Sequence, residues 1–431
     1  MRKIYLLAAA LVFSFAAPAQ NHKGDYRPHV NVVAGKDRKH DSEGKRTAAD
    51  AAAIFEKTHV GGFQQSHKPN YIFSSPHNRF MLAIGGFVNT RVAYDMKGIV
   101  ENTDFITRDI PVEATYATRQ KLTFDATTSR LFIKAVAVTR TLGNVVAYIE
   151  TDFRGYRGDM RLRQAYVSFK GLLLGRNITT FCDLDAAPTT VDFQGPNAYN
   201  IEYTTMIRYV LPLGRHWSIA AAAEMPSVSA TLPAGRFASI PQRVPDFPLY
   251  VRYDWGRRNP SHVRVSAVLR DMYYHADATD RNMAQFGWGV QLSGNVRFAR
   301  RCNLFFNGIY GRGITPYIQD LAGLGLDLVP RLSSDLSLQT LPMFGWFAAA
   351  QIDLSHRTFV SGGYSWVKVD YGDRYDVPAL YRDATYIFCN LFHNITPFCK
   401  VAVEYLHGIK NDTSGRKGTA NRVQAMIQYN F

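Results

Sequence analysis

The sequence predicts an all-β protein, a transmembrane antiparallel β-barrel of about 16 strands, and three observations lead to this prediction. Residues 421–431 alternate between an apolar face and a mainly polar face, as strand side chains do. Many segments after residue 81 alternate in the same way. After the first 20 residues, no run of about 18 apolar residues occurs, so no helical span is expected. A closed wall with lipid outside and water inside explains all three.

Residues 1–19 are predicted to be a signal peptide. Arg2 and Lys3 form a basic head, residues 4–16 are apolar, and Ala17-Pro18-Ala19 supplies small residues for cleavage. We therefore expect export, and for a barrel the destination is the outer membrane of a Gram-negative cell.

Residues 20–80 are predicted to form a periplasmic N-terminal segment, largely flexible because it is polar and mixed in charge. Within it, residues 47–56 are expected to form a short helix, with Thr47 as N-cap and Asp50 in the first turn. The spacing of the histidines at positions 22, 29, 40 and 59 fits no metal site, and we expect neither metal nor cofactor.

Residues 81–431 are predicted to form the barrel. The strands are expected at 84–96, 119–139, 145–154, 161–169, 172–181, 201–211, 217–224, 249–255, 262–273, 286–297, 303–310, 343–354, 358–370, 385–392, 398–407 and 422–431. A single-chain bacterial barrel needs an even number, so 119–139 is interpreted as one strand with a bulge near Thr128. A ring of this size leaves room for an aqueous channel.

The predicted connections alternate in length. Residues 141–144, 214–216, 355–357 and 394–397 are short, whereas 184–200, 228–247, 312–341 and 408–420 are long. Bacterial barrels have short periplasmic turns and longer outer loops. The sequence leaves open whether a long loop folds into the lumen.

The charge balance points to anions. The chain has 50 Lys and Arg against 35 Asp and Glu, with a formal net charge of +15. No basic helix or stacking module of a nucleic-acid-binding protein is present, so nucleic acid is not expected as a partner. Inside a pore, the same surplus favours negatively charged solutes.

Because side chains alternate along a strand, the residues between the apolar, outward-facing ones are predicted to face the lumen. A lipid-facing Arg at mid-depth would cost ~2–4 kcal/mol, so inward placement is favoured. The predicted pore-lining and anion-binding cations are Arg91, Arg130, Lys134, Arg161, Arg163, Arg208, Arg252, Arg264 and Arg270. Some are expected to pair with the inward carboxylates Glu150, Asp152, Glu202 and Asp254, and the remainder to attract anions.

The four cysteines do not form a recognisable disulfide framework. Cys389 and Cys399 flank a short turn, and either a disulfide or two free thiols is compatible with their spacing.

Four stretches carry a resemblance to a known family. Residues 150–153, 161–169, 172–181 and 191–197 resemble the DcaP-like outer-membrane porins, and the resemblance is strong over about 84–225. It implies a trimer of 16-stranded barrels that passes small negatively charged solutes such as dicarboxylates. It also implies that Asp192-Phe-Gln-Gly-Pro196 lies in an outer loop, where it forms either a turn or a narrowing of the pore. The apolar strand faces separately predict contact with outer-membrane lipid.

The preferred hypothesis is an outer-membrane porin, not an enzyme, with passive diffusion through an arginine-lined constriction. One alternative is a closed barrel that serves as a structural or assembly partner. Another is an outer-membrane hydrolase, for which His275 with Asp271 and Asp277 is the nearest cluster. No Ser has a nucleophile-elbow setting, which counts against the hydrolase.

Overall fold

The computed structural model describes residues 31–34, 41–59, 65–66, 69, 71–98, 103–113, 115–256, 261–331, 334–372 and 379–431. The helix α1 spans Asp41–Lys57. The strands are β1 Asn31–Ala34, β2 Tyr71–Ser74, β3 Phe80–Lys97, β4 Lys121–Asp125, β5 Arg130–Thr139, β6 Gly143–Asp152, β7 Arg161–Phe169, β8 Leu172–Ile178, β9 Tyr203–Leu213, β10 Trp217–Glu224, β11 Phe237–Ser239, β12 Phe247–Trp255, β13 Ser261–Ala276, β14 Arg281–Ala299, β15 Cys302–Arg312, β16 Val329–Arg331, β17 Ser334–Gln339, β18 Pro342–Asp353, β19 Thr358–Val369, β20 Tyr381–Asn394, β21 Cys399–Asp412 and β22 Lys417–Asn430.

Short 3-10 helices lie between these strands. They span Pro76–Asn78, Thr107–Asp109, Tyr116–Thr118, Tyr156–Gly158, Leu184–Ala186, Asp277–Thr279, Thr315–Tyr317 and Gln319–Leu321.

The strands form a closed antiparallel barrel of sixteen strand positions, as predicted. β22 pairs with β3 to close the ring. The final residue takes part, because Gly86 and Phe431 exchange two backbone hydrogen bonds of 3.1 Å. No backbone edge is left along this seam, which a wall in hydrocarbon requires.

β4 and β5 occupy a single strand position, since both pair with β3. Arg91 lies opposite Asp125 and Phe87 opposite Arg130, so three residues of β3 face four residues between β4 and β5. The extra residue lies at 126–129, where the bulge near Thr128 was predicted.

The outer face is apolar and the inner face polar, as predicted. Val423, Ile427 and Tyr429 are 39%, 49% and 53% exposed, whereas Arg422 and Gln424 are buried. Near the short turns, ring contacts join the aromatic residues Trp217, Tyr253 and Trp255, as in the girdle of a barrel at the membrane interface. None of the helices described is both long and apolar enough to cross a membrane.

The predicted long connection at 408–420 is wrong. β21 continues to Asp412, β22 begins at Lys417, and Asn411 pairs with Lys417. The turn is held by Arg416, whose Nε donates to Asp412 Oδ2 at 2.8 Å. The polar composition that suggested a loop instead belongs to strand ends, where outward side chains need not be apolar.

Three loops fold into the lumen, which answers the question that the sequence left open. They comprise residues 103–112, 179–202 and 313–341. Their apolar side chains are buried against inward wall residues in two clusters, one of which joins Phe105 and Tyr199 to Phe347 and Tyr386. The outer half of the lumen is therefore partly filled by packed side chains.

The predicted signal peptide, 1–19, and much of 20–80 lie outside the described residues. α1 includes the stretch expected to be helical, but it begins at Asp41, so the prediction of Thr47 as N-cap is wrong. β1 pairs in parallel with β2, and β2 pairs antiparallel with the first residues of β3.

All four cysteines are free thiols. Cys389 lies opposite Tyr405 and Cys399 opposite Tyr429, so the two are not cross-strand neighbours.

The seam between β22 and β3 contains a buried ion pair, and breaking it is expected to destabilise the barrel. Arg422 donates to Asp95 through Nε and Nη2 at 2.8 and 2.9 Å, and both side chains are fully buried. Asp95→Ala leaves the guanidinium without its carboxylate, so we expect the free energy of unfolding to fall by about 3–5 kcal/mol. Denaturant titration of the detergent-refolded barrel measures this.

Asp109→Ala is the matched control. Its carboxylate is partly exposed and lies 3.7 Å from Arg108 Nε. We expect a change below about 1 kcal/mol. Equal losses in the two variants would contradict the role given to the buried pair.

Candidate functional site

One loop crosses the whole lumen. Residues 179–202, which we call the inward loop, connect β8 to β9 but are bonded to β20 and β21 on the far side of the ring. Glu404 on β21 accepts the backbone N–H groups of Val191 and Asp192 at 3.0 and 2.8 Å. Asn390 on β20 donates to Thr189 O at 3.0 Å. The loop therefore narrows the lumen.

Glu404 is the anchor of this contact. It is only 2% exposed, and Asn390 and Gln424 each donate a further bond of 2.8 Å to its carboxylate. Four N–H groups thus converge on one buried carboxylate, and such charge-assisted bonds are stronger than neutral ones.

Phe193, next to the anchored residues, lies among three guanidinium groups. The Cζ atoms of Arg130, Arg154 and Arg163 are 5.9, 4.4 and 5.5 Å from its ring centroid. These distances fit cation–π contacts. The Asp-Phe-Gln-Gly-Pro stretch is therefore part of the narrowing and joins the inward loop to the wall opposite β20 and β21.

The predicted pairing across the β6–β7 hairpin is present. Arg163 donates to Glu150 and Asp152 at 3.0 Å each, and Arg161 donates to Asp152 at 2.6 Å. Arg130 Nη1 lies 3.6 Å from Glu150. Arg161 remains 44% exposed at its side chain, while both carboxylates are buried. Most of this positive charge is balanced locally.

The predicted cations of β12 and β13 hold loops in place, whereas that of β9, Arg208, contacts the neighbouring strand β8. Arg252 pairs with Asp254 and with Asp185 of the inward loop, at 2.8 and 2.7 Å. Arg264 donates to Cys182 O at 2.7 Å. Arg270 binds the loop carboxylates Asp246 and Asp327 at 3.0 and 3.1 Å, and Arg208 reaches Ile178 O at 3.5 Å.

Two further predicted residues lie apart from these contacts. Glu202 lies just before β9, is half-buried, and offers its backbone oxygen to Thr179 N–H at 2.8 Å. Lys134 is buried on β5 and its Nζ lies 3.4 Å from the backbone oxygen of Phe55 in α1.

A cavity of about 460 Å³ lies beneath the inward loop. Of the nine predicted cations, Arg91 and Arg130 line it. Arg91 pairs with Asp104 and Asp125 at 3.3 and 2.6 Å, and within the described part of the chain its Nε and Nη1 have no hydrogen-bond partner. Asp185 and Asp192 also contribute to the lining. The other seven predicted cations lie outside the lining of this cavity.

Lys400 also lines this cavity, and it was missing from the predicted set. Among the residues described, it has no hydrogen-bond or ion-pair partner. The outward Val403 and Tyr405 place Lys400 on the inner face by the same parity that identified the others. The signal was thus present in the sequence.

A family model described as DcaP outer membrane protein matches residues 76–431, which is most of the chain. The chain belongs to the DcaP outer membrane protein family. This family member is accordingly a protein of the outer membrane. A comparison with curated protein sequences finds no match.

Solved structures share the fold of this family member at low sequence identity. The DcaP channel of Acinetobacter baumannii superposes with a TM-score of 0.72 at 19% identity, covering 82% of this chain and 97% of the other. An anion-selective porin from Comamonas acidovorans gives 0.53 at 13% identity, covering 82% and 100%. The trimer form of OmpT from Vibrio cholerae gives 0.50 at 12% identity, covering 82% and 99%.

The anchor of the inward loop can be tested by Glu404→Ala. The substitution leaves the N–H groups of Val191 and Asp192 without an acceptor, and each such loss costs about 1–3 kcal/mol. We expect amide hydrogen exchange over residues 189–193 to accelerate by about tenfold or more. Gln424→Ala is the control, because it removes a donor to Glu404 but no contact to the loop. Unchanged exchange in Glu404→Ala would exclude Glu404 as the anchor.

The loop contact is also expected to depend on pH through Asp192. Burial, together with the nearby Asp104 and Glu404, raises the pKa of Asp192 to about 7, against the opposing effect of the Phe105 N–H and Arg422. Tyr386 OH also donates to this carboxyl group, at 3.1 Å. The folded loop thus favours the protonated acid. The stabilisation of the folded loop by protonated Asp192 is complete below the pKa of Asp in the unfolded chain, ~4, and is lost as the pH rises through about 7.

We therefore expect exchange over residues 189–195, corrected for intrinsic rates, to be faster at pH 8.5 than at pH 5.5. Asp192→Asn cannot ionise and should be insensitive over this interval. A pH dependence of the same size in both proteins would contradict the assignment.

Proposed function

We propose that this protein is a porin through which small anionic solutes, dicarboxylates among them, diffuse passively across the outer membrane. The observation that carries the proposal is the charged lining of the cavity beneath the inward loop. Arg91, Arg130 and Lys400 contribute cations to it, and Lys400 is balanced by no carboxylate of the described residues. Asp192, one of the acids in the lining, has a raised pKa of about 7 and is therefore partly neutral near that pH.

Such a lining can attract an anion without trapping it. A carboxylate about 4 Å from one cation gains ~1 kcal/mol in bulk water and ~4 kcal/mol near a low-dielectric wall. Arg130 and Lys400 lie on β5 and β21 and both line the cavity, so the lining offers a solute with two carboxylates cations from two separate strands. Binding of this strength raises the local anion concentration yet permits release.

The comparisons support the proposal at the level of fold. The anion-selective porin of Comamonas acidovorans has the same architecture, and its selectivity is the one proposed here. The trimer form of OmpT supports the further proposal that three copies of this chain assemble in the membrane. Outer-membrane lipid would then cover the apolar face that the trimer leaves free.

The second candidate is a closed barrel that acts as an assembly partner, and the filling of the lumen by three loops favours it. A hydrolase is not favoured by the contacts around His275. Its Nδ1 meets Asn282 at 3.0 Å and its Nε2 is 3.8 Å from Asp277, while Asp271 accepts from Tyr273 OH instead.

Selectivity in a planar bilayer under a salt gradient tests the proposal. We expect the native protein to prefer chloride over potassium, and Lys400→Gln to reduce the anion-to-cation permeability ratio by severalfold. The cause is the loss of the cation that lacks a carboxylate partner.

Lys368→Gln is the control for charge, because Lys368 is exposed on the outer side of β19. It should leave the ratio unchanged. A cation preference in the native protein would overturn the anion assignment, and folded barrels that pass no current even without residues 20–66 would favour the assembly partner.

A further inference from the structure

The periplasmic mouth of the barrel is occupied by part of the N-terminal segment. Ala51 and Phe55, one helical turn apart on α1, are 0% and 4% exposed. They pack against Met81, Val136 and Val146. Those three side chains are buried on the inner face of β3, β5 and β6, near the short β5–β6 turn. The end of α1 therefore lies inside the wall.

The same segment covers a predicted anion-binding cation. Lys134 Nζ lies 5.0 Å from the ring centroid of Phe55 and 3.4 Å from its backbone oxygen. A desolvated ammonium against an aromatic face and a carbonyl is a favourable arrangement. While α1 is seated, Lys134 cannot contact a solute.

A second contact lies deeper along the lumen. Ser66 Oγ donates to Glu150 Oε2 at 2.5 Å, and Gln164 Nε2 donates to Gln65 Oε1 at 2.9 Å. Glu150 is the carboxylate that Arg130 and Arg163 share. With His59, residues 65 and 66 also contribute to the lining of the 460 Å³ cavity. The segment thus binds the charged groups beside the proposed solute path.

We propose that residues 49–59 with 65–66, the N-terminal plug, form an autoinhibitory element that closes the periplasmic side of the lumen until it is displaced. The inference rests on the proposed porin function and assigns its regulation. The barrel wall is complete without the plug. The family match begins at residue 76, after the plug, and 82% of this chain is enough to cover 97% of the Acinetobacter channel. The plug side chains outside the contact, Ala53 and Glu56, are exposed.

The test compares Ala51→Arg with Ala53→Arg in bilayer recordings of the mature protein. Both add one charge to the same helix. Arg at position 51 meets the apolar wall formed by Met81, Val136 and Val146, whereas Arg at position 53 meets solvent. We expect Ala51→Arg to raise the mean conductance per channel severalfold and Ala53→Arg to match the native protein.

Deletion of residues 20–66, which retains β2 and the barrel, should raise the conductance at least as much as Ala51→Arg. It also keeps the proposal testable if Ala51→Arg fails to fold, which is scored by the heat-induced mobility shift of the barrel on gels. Equal, nonzero conductance in the native, Ala51→Arg and deleted proteins would overturn the plug and leave the porin function intact. Folded barrels with no current in any of them would overturn both.

Discussion

The absence of water in the hydrocarbon layer is the constraint on which the rest of this structure depends. Every backbone N–H and C=O of the wall has to be paired within the wall, so the sheet closes through β22 and β3 and ends with the paired Phe431. The same constraint makes the outer face apolar and sends the polar side chains of each strand inward. Once these groups point into a narrow lumen, they need partners of their own.

The pairing of inward Lys and Arg side chains within the protein determines how many of these cations can interact with solutes. Of the nine predicted inward cations, six lie within 4 Å of a carboxylate: Arg91, Arg130, Arg161, Arg163, Arg252 and Arg270. Lys134, Arg208 and Arg264 lie close to backbone oxygens instead. Burying a charge without a partner is costly, so most of these cations are engaged by partners in the wall or in the loops. The positive electrostatic potential that can attract anions therefore depends on a few cations, and chiefly on Lys400.

The inward loop and the N-terminal plug enclose the same cavity from opposite sides. The loop is bonded to Glu404 on the far wall, and the plug is bonded to Glu150 through Ser66. Both therefore attach by hydrogen bonds to buried carboxylates of the wall, and both leave the barrel hydrogen bonds untouched. A barrel of this kind can change its opening without changing its fold, because closure depends on a small number of side-chain contacts.

The sequence by itself determined the barrel, its sixteen strand positions, the bulge near Thr128 and the inward direction of charges such as Arg163 and Glu150. These follow from alternation, which is local and has a period of two. The same rule would have placed Lys400 had it been applied to residues 398–407.

Only the tertiary structure decided that residues 179–202 cross the lumen, that Arg264 and Arg270 hold loops, and that Phe55 covers Lys134. These contacts join residues distant in sequence, such as Val191 and Glu404, and loops carry no periodicity that reports where they pack. Alternation shows which face of a strand a residue occupies, whereas a partner across the lumen depends on how the ring closes in three dimensions.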